Sequence, residues 1–125
     1  MKHIFFALLL AAVSLTSCQK SLEDKAADDA REYTSRECPR LIADNIMQDS
    51  MVFERSTKTL IYYYTLQGTL DNSAEQQRHK DEYIRQLRQG VKSTPSLTTY
   101  VKAGFKFRYV YRSERNGETI LDLSI

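Results

Sequence analysis

Few side chains of this sequence could carry out covalent or metal chemistry, and Cys38 and His79 are the main candidates in its central part. A catalytic site needs a nucleophile with a base and an orienting group, or a metal with three or four ligands. Cys38 and His79 would form a nucleophile and base pair only if folding brought them together, and nothing in their spacing requires it. The carboxylates that could join His79 in a weak metal site are Glu75, Asp81 and Glu82.

The sequence has no glycine-rich phosphate loop, no paired-cysteine motif and no nucleophile elbow. We therefore expect a protein that is not an enzyme, with no catalytic residues, no metal site and no cofactor. The alternative is a small hydrolase or a metal-dependent activity that uses Cys38 or His79.

The N-terminus has the pattern of an export signal. Lys2 and His3 precede an uncharged apolar run from Ile4 to Val13. A helix needs about 20 apolar residues to cross a bilayer, and this run is shorter. Residues 1–17 are therefore predicted to be a signal peptide and not a membrane span.

The other cysteine follows this run directly. Leu15-Thr16-Ser17-Cys18 resembles the lipobox of bacterial lipoproteins, in which an aliphatic residue and two small residues precede the cysteine that accepts diacylglycerol. The resemblance implies cleavage between Ser17 and Cys18 and a lipid anchor on Cys18, since two or more acyl chains hold a protein stably at a membrane. An ordinary secretory signal with a cysteine near its cleavage site is the other interpretation.

Composition indicates a globular chain. The formal net charge is +2, with 42% hydrophobic and 27% charged residues. We expect a signal peptide over 1–17, a tether and N-terminal helix over 18–36, and a single α+β domain over 37–125. If Cys18 carries lipid, Cys38 has no intramolecular disulfide partner, which leaves a buried apolar residue, a free thiol or an intermolecular link.

Periodicity predicts the order of the elements. An apolar stripe from Leu22 to Tyr33 indicates the N-terminal helix, which ends near Cys38-Pro39 because proline lacks an N–H donor. Residues 41–50 fit either a short helix or an extended segment. Strands are predicted over 51–54 and 59–66, and the capping spacing of Asn72 and Glu75 then begins a long helix.

The last part of the chain predicts a short helix after Thr94-Pro95 and a second hairpin. Phe105, Phe107, Tyr109 and Tyr111 alternate with polar residues, and Asn116-Gly117 supplies the turn. A helix followed by a β-hairpin thus occurs twice. The predicted fold is α+β, with one antiparallel four-stranded sheet and the helices packed on one face.

Charge distribution suggests one surface for a partner. The segment from Arg78 to Arg115 is basic, and Lys106, Arg108 and Arg112 share one face of a strand. Together with Tyr63 they form a predicted interaction face for an acidic envelope protein, an anionic glycan or lipid phosphates. Nucleic acid is excluded because the chain is expected to be exported, and solubilising charge is the alternative interpretation.

Several features occur together along the chain. They are the lipobox, the Cys-Pro step, the tyrosine-rich strand Leu60 to Leu66, the capped helix, and the segment Gly104 to Tyr111 with Asn116-Gly117 and Ile120-Leu121-Asp122. This combination resembles small lipoproteins of Bacteroidota. The resemblance covers most of the chain after Cys18. It implies a cell-envelope location, at the outer membrane and on its periplasmic or external side. It transfers no activity and no functional residues.

The lipid-acceptor interpretation predicts the behaviour of one variant. Cys18→Ala removes the thiol that would carry the lipid, so the protein should be released from the membrane or misprocessed. Fractionation of cells with metabolic labelling by a fatty acid measures both effects. Retention of the unlabelled variant in the membrane fraction would contradict the interpretation.

Overall fold

The structure is a computed structural model that describes residues 20–125. The predicted signal peptide and the predicted lipid acceptor Cys18 lie outside these residues. Within the described part, no helix is both long enough and apolar enough to cross a bilayer.

Helix α1 (Leu22–Glu37) begins with the side chain of Ser21 accepting a hydrogen bond from the backbone N–H of Asp24. This cap satisfies one of the N–H groups that the first turn leaves without a helical partner. Ala26 and Ala30 are buried, and their small side chains let the helix lie close to the sheet. The predicted N-terminal helix therefore exists, and Ala26 is part of the hydrophobic core.

Five strands form one sheet in the order β1-β2-β3-β4-β5. Their bounds are Arg40–Ala43 for β1, Ile46–Glu54 for β2, Thr59–Leu66 for β3, Lys106–Ser113 for β4 and Thr119–Ser124 for β5. The α+β class is confirmed. The sheet has one strand more than the four predicted.

The additional strand comes from the ambiguous residues 41–50, which form a hairpin between β1 and the first half of β2. Asp44 and Asn45 make its turn, and Asn45 adopts φ 65°, a conformation that asparagine tolerates. A register shift between Gln48 and Ser50 inserts one residue into β2. After this bulge the side chains of β2 alternate in the opposite phase, so the sequence of the whole strand does not show a period of two.

The prediction of a purely antiparallel sheet was wrong at its centre, where β3 and β4 pair in parallel. The connection between them contains helices α2 (Ser73–Arg78), α3 (Lys80–Ser93) and α4 (Thr98–Lys102). A helical crossover returns the chain to the end of the sheet at which β3 began, so the next strand runs in the same direction as β3. The other three pairs, β1–β2, β2–β3 and β4–β5, are antiparallel.

The helices pack on one face of the sheet, as predicted. The side chains of β3 and β4 that alternate toward this face join residues of α1, α3 and α4 in one hydrophobic cluster. Leu60 of β3 and Leu123 of β5 are its most completely buried large side chains. No helix of residues 20–125 covers the other face, which we call the outer face.

One buried carboxylate connects the loop after β3 to the β4–β5 hairpin. Asp71 accepts hydrogen bonds at 3.2 Å from the backbone N–H and from the Nε of Arg115. Arg115 Nη2 also donates to the Asp71 carbonyl oxygen at 3.0 Å. Hydrogen bonding with the Ser113 side chain and then with Arg115 lowers the pKa of Asp71 below its ordinary value.

Asp71→Asn should lower the melting temperature at neutral pH because the amide cannot reproduce the charged contacts to Arg115. A carboxyl with a lowered pKa stabilises the fold above its unfolded value of about 3.8, and the contribution is lost as the pH falls through its folded pKa. The difference between the two proteins should therefore shrink in acid. Thermal unfolding across this range tests it, with the exposed Asp81→Asn as control; a constant difference would contradict the assignment.

Candidate functional site

A groove of about 470 Å³ lies on the helical side of the sheet. One wall is α1, from Lys25 to Glu37, and the other is the segment from Thr94 to Tyr100. Met51 and Tyr62 of the sheet form its floor. The groove exists because α1 packs over β2 whereas α2 and α3 pack against β5, which leaves the middle of the sheet less covered.

The α1 wall presents charges at spacings of three and four residues, and these charges pair with one another. Lys25 Nζ lies 2.7 Å from Asp29, and Arg36 Nη2 lies 2.6 Å from Glu32. Partial burial opposes ionisation of Asp29, but hydrogen bonds from Lys25 and Tyr100 outweigh it, and the pKa of this carboxyl is lowered. Glu37 adds a further carboxylate at the far end of this wall.

The opposite wall is uncharged. Thr94, Ser96 and Leu97 line it, and Tyr100 closes one end by donating a hydrogen bond to Asp29 at 2.8 Å. Lys25 Nζ lies 5.5 Å from the centroid of the Tyr100 ring. The two walls are therefore joined at the end of the groove that is near the start of α1.

Four tyrosines of β3 and β4 stack under the space between the helices. The ring centroids of Tyr62 and Tyr109 are 4.9 Å apart, and those of Tyr64 and Tyr111 are 4.8 Å apart. Tyr64 and Tyr109 are also stacked, at 6.4 Å. We call these four residues the tyrosine block. Because its rings face one another, the block directs edges and hydroxyls, and not ring faces, away from the sheet.

The hydroxyls of the tyrosine block have no hydrogen-bond partner among residues 20–125, although Tyr64 and Tyr109 are each only 7% exposed. The wall tyrosines differ, since Tyr33 donates to Gln48 at 2.7 Å and Tyr100 to Asp29. Every fully buried side-chain nitrogen and oxygen in the described residues has a partner. The hydroxyls of the block therefore reach accessible space, where a ligand or water can bind them.

Burial makes these phenols weak acids. Desolvation raises the pKa of Tyr62 and of Tyr111 to about 12, and it raises those of Tyr64 and Tyr109 further. The hydroxyls are neutral at physiological pH and can donate hydrogen bonds.

A second cavity, of about 270 Å³, lies between α3 and the sheet. Tyr111 of β4 lines it together with apolar residues of β2, β3, β5 and α3. The polar groups at its edge already bind one another, since Tyr83 donates to Gln76 Oε1 at 2.8 Å and Gln76 Nε2 donates to the Leu70 carbonyl at 3.1 Å. This cavity offers apolar volume and few free polar groups.

The predicted interaction face lies on the outer face of the sheet. The register places Tyr63, Lys106, Arg108 and Arg112 together on that side of β3 and β4. Arg108 forms a two-pronged ion pair with Asp122, at 2.7 and 2.6 Å. Most of the predicted positive charge is thus neutralised within the sheet.

Arg112 is also engaged on this face. Its guanidinium lies 4.9 Å from the centroid of the Tyr63 ring and 3.9 Å from Asp49. Lys106 alone of the three cations has no ion-pair partner among the described residues. Apart from Lys106, the predicted cations of the outer face are therefore paired, and Arg112 covers the ring of Tyr63.

The two residues proposed for catalysis lie on different elements. Cys38 ends α1, and burial raises the pKa of its thiol. His79 lies between α2 and α3, where its ring nitrogens are 3.2 Å from Glu75 and 3.8 Å from Glu82. Within residues 20–125, no three His, Cys, Asp or Glu side chains are grouped to hold a metal ion.

Alternation in the sequence placed Tyr62, Tyr64, Tyr109 and Tyr111 on buried faces, but it did not reveal the groove. The signal that could have found it is the Tyr-x-Tyr pattern present in both strands. Whether the four rings of this pattern stack depends on the register, which pairs Tyr62 with Tyr109 and Tyr64 with Tyr111.

Alkaline titration should detect the tyrosine block. A phenol with a raised pKa stabilises the fold fully below its unfolded value of 10, and this contribution is lost as the pH rises through about 12. We expect a group of tyrosines that ionise late, with unfolding in the same range. The ultraviolet absorbance of tyrosinate measures this, and Tyr62→Phe should remove one late group. Ionisation of all tyrosines near pH 10 in the folded protein would contradict the burial.

Three solved structures share the fold. A Pseudomonas aeruginosa protein described as secreted has a TM-score of 0.66 and 15% identity, covering 86% of this chain and 95% of its own. The type II secretion system pilotin AspS from Vibrio cholerae has a TM-score of 0.59 and 15% identity, covering 90% and 94%. The type 2 secretion system pilotin EpsS from Vibrio vulnificus has a TM-score of 0.54 and 13% identity, covering 83% and 86%.

No curated protein sequence matches this chain. One family model does, and its description is "Domain of unknown function (DUF8479)". The match covers residues 21–121, which include all of α1 to β4 and the start of β5. By this match the chain belongs to the DUF8479 family.

Proposed function

We propose that this protein is a lipid-anchored protein of the cell envelope, at the outer membrane, that binds a segment of a partner protein in the groove between α1 and the Thr94–Tyr100 wall. Cys18 carries the anchor, and the protein acts by binding and not by catalysis. The observation that carries the proposal is the floor of the groove, where the tyrosine block presents the neutral hydroxyl of Tyr62 without a hydrogen-bond partner among the described residues.

The groove combines the two kinds of contact that a peptide segment uses. Met51, Leu97 and the edge of the Tyr62 ring offer apolar surface, while the Tyr62 hydroxyl offers a hydrogen bond to a carbonyl or a side-chain amide. Ligand sites typically have such an apolar lining with a few placed polar groups. Buried hydroxyls also penalise a ligand that leaves them unpaired, which gives selectivity.

Two features favour a protein segment over an anionic glycan. Sugars stack on open aromatic faces, but the faces of the tyrosine block are occupied by one another. On the α1 wall, Lys25 and Arg36 are already paired with Asp29 and Glu32, so this wall presents no unpaired cation to a polyanion. A segment with apolar and amide or basic side chains suits this wall better.

The comparisons support the same class of function. Two of the three structural neighbours are pilotins of a secretion system, and the third is described as secreted. A fold that serves pilotins in other envelopes is suited to holding a protein partner at a membrane. The predicted lipid on Cys18 would keep the domain at that membrane.

Site-specific photo-crosslinking in cells tests the groove. A photoreactive amino acid at Ser96, an exposed residue of the uncharged wall, should give a discrete protein adduct. The same amino acid at the exposed Ser124 of the outer face should not. An adduct at Ser124 and none at Ser96 would place the partner on the other face.

Hydroxyl removal should weaken the same adduct. Tyr62→Phe keeps the stacked ring but deletes the one hydroxyl of the tyrosine block that lines the groove, so the Ser96 adduct should fall roughly fivefold, given a net value of about 1 kcal/mol for one hydrogen bond. The matched control is Arg112→Glu, which changes the outer face and should leave the adduct unchanged. If the charge variant loses the adduct and the phenylalanine variant keeps it, the predicted interaction face binds the partner.

A further inference from the structure

The described chain begins at one end of the sheet, and several loops meet there. Arg55 Nη2 lies 2.8 Å from Asp24 in the first turn of α1, and Lys58 Nζ lies 3.5 Å from Glu23. The backbone N–H of Lys106 donates to the carbonyl of Lys58 at 2.9 Å. The first turn of α1, the loop after β2 and the start of β4 therefore lie side by side.

The turn after α4 lies at the same end. The Phe105 N–H donates to the Tyr100 carbonyl at 3.0 Å, which closes a turn over residues 101–104. All four of these residues are exposed, and Val101 is 44% exposed. We call the surface formed by the first turn of α1, the Arg55–Lys58 loop, the 101–104 turn and Lys106 the basal surface.

The lipid would be attached very close to this surface. Cys18 precedes Lys20 by two residues, and an extended chain spans at most about 3.5 Å per residue, so the acylated cysteine lies within about 7 Å of Lys20. Ser21 then caps α1, whose Ala26 and Ala30 are packed into the domain. Little chain is left over which the domain could tumble away from the bilayer.

The charges of the basal surface suit an anionic bilayer. Arg55 and Lys58 neutralise Asp24 and Glu23 of α1. Lys102 and Lys106 have no ion-pair partner among the described residues; Glu54, which lines the same pocket as Lys106, offsets one of these charges, so this end keeps a small positive excess next to the exposed Val101. Lysines beside an exposed apolar side chain are the combination that binds lipid headgroups at a membrane surface.

We propose that the basal surface docks on the anionic lipid headgroups of the bilayer that holds the anchor, with Lys102 and Lys106 at the phosphates and Val101 at the headgroup boundary. The proposal rests on the lipid anchor of the proposed function. It orients the groove, because the Lys25 end of α1 then faces the bilayer and the Glu37 end faces away. A partner segment would reach the groove from the aqueous side.

Lysine labelling of the lipidated full-length protein tests the docking. The protein is purified from membranes and placed in nanodiscs of phosphatidylcholine alone or mixed with phosphatidylglycerol, and acylation of each lysine by an amine-reactive ester is followed by mass spectrometry. Lys102 and Lys106 should react roughly fivefold more slowly on the mixed bilayer. Lys80, which is exposed on α3 away from the basal surface, should react equally on both.

A charge variant supplies an independent readout. In Lys102→Glu/Lys106→Glu the protection of the neighbouring Lys58 on the mixed bilayer should disappear. Arg85→Glu/Arg88→Glu makes the same change in net charge on exposed residues of α3 and should leave the protection of Lys58 intact. Circular dichroism of each variant confirms that it is folded.

Two outcomes would overturn the proposal in different ways. Equal labelling of Lys102, Lys106 and Lys80 on both bilayers, with the protein bound to the discs, shows that the domain does not dock and leaves the groove function standing. Failure of the purified protein to bind either disc shows that the anchor itself is wrong, and the docking proposal falls with it.

Discussion

The parallel pairing of β3 with β4 is the contact on which the rest of the helical side depends. In a parallel pair the side chains of registered residues lie next to each other on the same face. Here the register sets Tyr62 beside Tyr109 and Tyr64 beside Tyr111, and all four rings stack. A shift of one residue would turn one pair of tyrosines to the outer face and remove the block. The parallel pairing is itself a result of the helical crossover, which returns the chain to the end of the sheet where β3 begins.

Helix packing at the two sides of the sheet then decides where the groove lies. The small side chains of Ala26 and Ala30 bring α1 close to β2, and Thr34 reinforces the contact because its hydroxyl exchanges hydrogen bonds at 2.9 Å with both the N–H and the carbonyl of Met51. These bonds occupy polar groups of β2 beyond the end of the short strand β1. Helices α2 and α3 lie toward β5, so the tyrosines in the middle remain partly uncovered.

The two faces of the sheet satisfy their polar groups in different ways. On the outer face, Arg108 pairs with Asp122, and Arg112 lies over Tyr63, so long charged side chains cover the buried Ile61 and Val110. On the helical side, the hydroxyls of the tyrosine block have no such partners among the described residues. A surface that has already satisfied its polar groups gains less from a ligand than one that has not, and this difference favours the groove as the binding site.

Local patterns in the sequence determined the elements that depend on local chemistry. These are the caps of α1 and α2 at Ser21 and Asn72, the alternation of β3 and β4, and the turn at Gly117, which adopts φ 72°. The export signal with its lipid-acceptor motif stays a prediction from the same kind of local pattern. The α+β class and the single helical layer followed from their order. The shared face of Tyr63, Lys106, Arg108 and Arg112 also followed, because a strand alternates strictly.

Tertiary structure decided what depends on contacts between distant residues. The bulge at Asp49 hid a strand because it shifts the phase of alternation, and the parallel direction of β4 came from the packing of the crossover helices. The neutralisation of Arg108 required Asp122 on another strand, and the tyrosine block required a register that no local pattern encodes. Sequence periodicity predicts the face of the strand or helix on which a side chain lies, whereas only the tertiary structure determines which other side chains it contacts.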